Sequence, residues 1–138
     1  MAITQAICNS YKLEVLQGVH TTAHTYKMAL YSSVATLDKN TTAYTVTNEI
    51  SGGGYSAGGI TLTSATANLD GDVAYLDFAD PVWSTASFTA RGALIYNSGA
   101  ANKAVCTLDF GADYTCSNGS FTVTIPAPAA GTALVRIS

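Results

Sequence analysis
The hydrophobic pattern of this chain is organised around one long stretch, Pro81 to Asn97, which holds the only Trp. From Ser84 onward it is rich in β-branched and aromatic residues and long enough for a strand that crosses a whole domain, and it stops at an Asn-Ser-Gly turn signal. Shorter runs of strand character lie on both sides, so the pattern predicts a central strand of a β-sandwich. Gly92 interrupts the run, and a missing side chain inside a strand marks a bulge or the close approach of another backbone.

Ahead of it, Ile7, Cys8, Tyr11, Val15 and Leu16 recur at helical spacing. They predict an N-terminal helix over Gln5 to Gln17 with Thr4 as N-cap, Gly18 to end it, and Lys12 and Glu14 off the apolar stripe. Tyr26, Met28 and Leu30 alternate with Lys27 and Tyr31 as a half-buried strand within Thr25 to Ser32. Asp38, Lys39 and Asn40 supply a loop, and Ala43 to Thr47 reads as a further strand. Ser51 to Gly59 is glycine-rich and reads as a flexible loop, more an ordinary connection between strands than a segment that orders its central Tyr55 on contact with a partner, and it is expected to be removable without loss of the fold.

Ile60 to Thr63 and Ala65 to Leu69 form an arm that turns at Asp70-Gly71 and returns through Asp72 to Phe78. Lys103 to Phe110 alternates again and is expected to end at Gly111-Ala112. Asn118-Gly119, between Tyr114 to Ser117 and Ser120 to Ile125, carries the strongest hairpin signal in the chain, and that register sets Cys116 opposite Phe121. Pro126 to Gly131 is expected to break the sheet before a last strand over Ala133 to Ile137. About eight strands at this spacing fit an all-β fold, a jelly-roll-like antiparallel sandwich in a single domain over residues 1–138, with one short helix (5–17) and a glycine-rich loop (51–59).

Charged residues make up only 11% of the chain and apolar ones 48%, so Ser, Thr, Asn and Gly must cover the surface. Such a surface is poorly defended against association, which suits a protein that spends its life docked. Six basic against nine acidic residues leave a net charge of −3 without a basic run, which excludes direct nucleic-acid binding. The start of the chain lacks a signal-peptide pattern and the apolar runs are short, so a product made and kept in the cytoplasm, without a membrane partner, is expected. Cys8, Cys106 and Cys116 are odd in number and lack metal-type spacing; they read as buried free thiols.

Candidate chemistry is sparse. His20 and His24 lack the Glu of a helical zinc motif, Asp70 to Asp80 fails the calcium-loop pattern, and the glycine-rich segment lacks the Lys-Ser/Thr pair of a phosphate loop. No Ser stands in a nucleophile elbow, and a glycosidase would have only the scattered Glu49 and Asp109. No enzyme activity, cofactor or metal is expected. Arg91 lies among apolar neighbours and needs an acid, with Asp77 or Asp109 as the candidates. Trp83 reads as a core plug rather than an exposed stacking platform.

Four phrases, Leu16 to His20 with the preceding helix, His24 to Tyr31, Gly53 to Gly59, and Phe88 to Asn97, resemble small head proteins of tailed bacteriophages of the cement or decoration kind. The resemblance spans most of the chain. It implies a domain on the outside of an icosahedral capsid, in the virion, that ties neighbouring major capsid proteins together and itself forms a homo-oligomer, a dimer before a trimer. On that implication, Tyr11, Leu16, Tyr55, Ser56 and Trp83 are the candidate docking residues for capsid or self. The alternatives are a carbohydrate- or receptor-binding jelly-roll module and another head or tail structural protein.

Overall fold
A computed structural model describes residues 2–125 and 135–137. Its elements are β1 (Ala6–Ile7), α1 (Asn9–Leu16), β2 (Tyr26–Tyr31), β3 (Ile60–Thr61), β4 (Thr66–Asp70), β5 (Val73–Asp77), β6 (Val82–Asn97), β7 (Lys103–Thr122) and β8 (Val135–Ile137). β6 is the expected central strand, with β2 on one side and β7 on the other, in a five-stranded sheet of order β1-β7-β6-β2-β3. A second sheet, β4-β5-β8, completes an all-β antiparallel sandwich.

One continuous core joins the two sheets. Every residue of β2 except Lys27 is buried, so this strand is covered on both faces and not half-buried as its alternation suggests. Its Tyr26 ring lies 5.4 Å from Phe78 at the end of β5, and Leu76 and Val135 of the smaller sheet are buried. At the other end of β6, Trp83, Phe88 and Phe121 contact one another edge-on or tilted, with ring centroids 5.1 to 6.5 Å apart. A bulge at Thr85, at φ 53°, resets the alternation so that Trp83, Ala86, Phe88 and Ala90 all point inward. Trp83 is thus the core plug the sequence predicts.

The hairpin expected at Asn118-Gly119 does not form. β7 runs through it, pairing Phe121 with Trp83, Gly119 with Ala86 and Cys116 with Phe88. The left-handed φ of Asn118, 50°, serves a bulge held by Ser87, whose Oγ accepts from the Asn118 N–H at 3.0 Å. Folding Tyr114–Ser117 back on Ser120–Ile125 would strip the far half of β6 of its partner, and pairing with β6 wins. For the same reason Gly111, at φ 81°, lies within β7 where the strand was expected to end. The Asp70-Gly71 signal does make a hairpin, with Asp70 paired to Val73 across Gly71 and Asp72.

Three further expectations change. The helix is shorter than Gln5 to Gln17, because Ala6 and Ile7 are drawn into the sheet against Thr107 and Cys106. Cys8, not Thr4, precedes its first turn. Ala43–Thr47 is not a strand, since only Ala43 finds an edge, at Lys103. The break expected at Pro126–Gly131 and the first residues of the last strand lie outside the described residues, and Val135–Ile137 is a strand.

Candidate functional site
Helix α1 lays most of its apolar stripe on the protein, with Tyr11 buried and Val15 packed against the core, but Leu16 of that stripe faces out. Tyr11 and Glu14 face the protein, while Leu13 and Leu16 are 57% and 87% exposed. What draws Glu14 inward is a polar cluster at the end of β6. Its Oε1 accepts from His20 Nε2 at 2.9 Å, and Lys103 Nζ stands 3.4 Å from Oε2. The amide Nδ2 of fully buried Asn97 donates to His20 Nδ1 at 3.0 Å and to His24 Nδ1 at 2.9 Å, and Gly99 N donates to its Oδ1 at 3.0 Å. That last bond fixes the amide orientation, so both imidazoles accept at Nδ1 and carry their proton on Nε2. The two histidines thereby tie the segment after the helix to β6, with Tyr11 packed 4.7 Å from the His20 ring. This satisfied cluster forces the two leucines outward, because positions three apart share a face.

The glycine-rich segment is not a free loop. Gly53 bridges Ser87 of β6, and the ring of Tyr55 lies 5.9 Å from Phe88 and 6.4 Å from Trp83. The Tyr55 hydroxyl accepts from Leu30 N at 3.0 Å and donates to Glu49 Oε2, which also accepts from Gly58 N at 2.8 Å. Tyr44 donates to the other oxygen of Glu49 at 2.6 Å, and Tyr96 donates to Gly58 O at 2.6 Å. Burial, then the bond to Glu49, pushes the Tyr55 and Tyr44 phenols well above the usual range, so both stay protonated donors. Glu49 is therefore a clasp that closes the loop onto the sheet. These contacts tie Ser51–Gly59 into the fold and count against the expectation that it can be removed without loss of the fold.

The five candidate docking residues therefore separate. Leu16 and Ser56 are exposed, Tyr11 and Trp83 are buried at 6% and 4%, and Tyr55 is half-buried with its hydroxyl committed inward. Sequence reasoning missed Leu13, which lies off the stripe; it also missed Val34 and Val46, 56% and 68% exposed on two loops joined by the bond from Asn48 Nδ2 to Val34 O. Only an exposed-face reading of the helix would have signalled Leu13.

Arg91 meets Asp109 at 3.8 Å and Asp113 at 3.5 Å, not Asp77, and its side chain is 36% exposed. Pairs this open contribute at most about 1 kcal/mol. Asp77 is half-buried, and its Oδ1 is buried without a hydrogen-bond partner among the described residues. Burial raises its carboxyl above the usual carboxylate value. Two concavities accompany these features: a groove of about 550 Å³ over Leu108, Phe110, Phe121, Val123 and Ile125, and a cleft of about 180 Å³ between Val15, His20, Leu76 and Val135. No protein-family model, curated protein or solved structure matches the chain.

Proposed function
We propose that this chain is a jelly-roll-like virion protein that binds the outside of an icosahedral bacteriophage capsid and cements neighbouring major capsid subunits, acting as a homo-oligomer and not as an enzyme. The observation that carries the reading is the outward pair Leu13 and Leu16 on a helix whose polar Glu14 is turned inward. Apolar side chains held out on a surface with few charges cost little to desolvate and gain on contact, about 1.5–3 kcal/mol for each leucine fully covered. The phrases that carry the resemblance support it from a second side, since three of them interlock: β2 pairs with β6, and Tyr55 joins both. A ligand of the assembled lattice alone shifts assembly toward the closed shell, and many copies add their effects.

The test is cosedimentation of the purified chain with heads that lack it. The unchanged protein is expected to saturate heads at a fixed number of copies. Leu16→Asp combined with Leu13→Asp, at positions already in water, is expected to keep the fold and weaken binding roughly tenfold or more. Failure of the unchanged protein to bind heads removes the capsid reading; equal binding by the double variant moves the contact off the helix.

A further inference from the structure
The β4–β5 hairpin leaves an edge whose sequence is complementary to itself. Its two-residue turn makes Asp70 and Val73 a hydrogen-bonded pair, and alternation then directs the backbone groups of Asn68 and Thr66 toward Tyr75 and Asp77. Ala67 and Leu69 direct theirs outward, and no hydrogen bond from the described residues reaches them. All five residues of β4 are exposed, Leu69 at 74%, and the strand carries neither the Lys nor the Pro that commonly blunts an edge.

We propose that β4 is a homodimerisation edge, pairing antiparallel with β4 of a second copy about a two-fold axis at Asn68. In that register Ala67 of one chain and Leu69 of the other form a hydrogen-bonded pair, twice over, so all the outward backbone groups of both residues are used. The smaller sheets join into one of six strands. One row across it then reads Ile137, Ala74 and Leu69 of one chain followed by Ala67, Leu76 and Val135 of the other, apolar from end to end. Leu69, 74% exposed in the single chain, gains Ala67 of the second copy as a neighbour on this row.

Charge is compatible with this register. Each Asp70 faces Thr66 of the second copy, and Asn68 faces Asn68, whose amides can bond each other; no two like charges stand opposite. A slip of two residues, about an axis at Leu69, would keep the outward groups paired but set Ala67 against Gly71 of the turn; a slip of four, about Asp70, would oppose the two Asp70 carboxylates, and an odd slip would point the paired backbone groups away. The edge is short, and the area it covers falls below the ~800 Å² per partner of a standard interface. Free chains therefore pair only at high concentration. The proposal deepens the homo-oligomer part of the preceding reading and uses none of its capsid part.

Single cysteines test it on the full chain without capsids, so its failure and that of the capsid reading are distinguishable. In a Cys116→Ser background, which leaves the buried Cys8 and Cys106, Asn68→Cys places its thiols across the axis, at a non-hydrogen-bonded pair about 4.5 Å apart at Cα and within disulfide reach. Thr66→Cys sets them four residues out of register, roughly 13 Å apart and out of reach. Under mild oxidation Asn68→Cys is expected to form covalent dimers roughly tenfold faster than Thr66→Cys, and Leu69→Lys is expected to abolish the difference. Equal rates for the two cysteine variants, or no dimer from Asn68→Cys at millimolar concentration while circular dichroism shows the native fold, overturns the proposal.

Discussion

The Glu49 carboxylate shows how a residue that looks available for chemistry is consumed by structure. Its oxygens accept two phenols and a backbone N–H, and one of those phenols, Tyr55, accepts in turn from Leu30 N. Replacing Tyr55 with Phe keeps the ring against Phe88 and Trp83 but leaves the Leu30 N–H without its acceptor and Glu49 Oε2 with Gly58 N alone. Bonds to charged groups are worth about 1.5–3 kcal/mol, and an orphaned donor costs a similar amount. Tyr55→Phe is therefore expected to lower unfolding stability by about 2–4 kcal/mol in urea titration; a loss under about 0.5 kcal/mol, the size of an ordinary surface change, would mean that the loop is not clasped. None of this is legible from spacing, because Glu49, Tyr55 and Leu30 are joined by the fold and not by any periodicity. Tyr55 could be singled out from its glycine setting, and its direction could not.

Among the elements, the long strand and the β4–β5 hairpin were readable because their signals are local: a run of β-formers ended by Asn-Ser-Gly, and Asp-Gly between two strands. Asn118-Gly119 carries an equally local signal and gives a bulge, since β6 offers a longer partner than the hairpin would. Local turn chemistry thus permits a left-handed φ without deciding what it is used for. The Gly92 reading survives because it was about space. A Cβ there would stand 2.5 Å from Leu108 O and 2.8 Å from Ile3 Cδ1, where the bulged strands and the chain start converge. Gly59 is tighter, with Met28 O at 1.8 Å and φ at +84°, whereas Gly111 has a left-handed φ and open space. Gly92→Ala and Gly59→Ala are each expected to cost about 3 kcal/mol or more, the range of severe overpacking. Gly111→Ala carries only the backbone penalty, about 1 kcal/mol. Thermal unfolding of the three variants checks the order; a Gly111 variant as damaged as the Gly59 variant would show that φ, which the two share, and not space sets the cost there.

At the scale of the whole molecule, the chain closes on itself from both ends: Ala6–Ile7 completes one sheet on β7, and Val135–Ile137 completes the other on β5. These long-range pairings are what a one-dimensional pattern cannot place, and the first of them is what shortened the helix. The surface left over is low in charge, 11% of residues with a net charge of −3, and its largest exposed side chains include Leu13, Leu16, Val34, Val46 and Leu69. An interface built from such a surface draws little on ion pairing, which salt screens over a Debye length of about 10 Å at 0.1 M and 3 Å at 1 M. It draws instead on apolar contact, which salt does not screen and strongly excluded salts strengthen. On the proposed capsid reading, attachment to heads is therefore expected to change by less than about threefold between 0.1 and 1 M sodium chloride, and to tighten in sulfate. A protein held by charge would behave in the opposite way, losing affinity steadily across the same range. Measuring retained copies per head along a salt series separates the two, and a steep fall with sodium chloride would place the contact on the few charged residues rather than on the leucine face of α1.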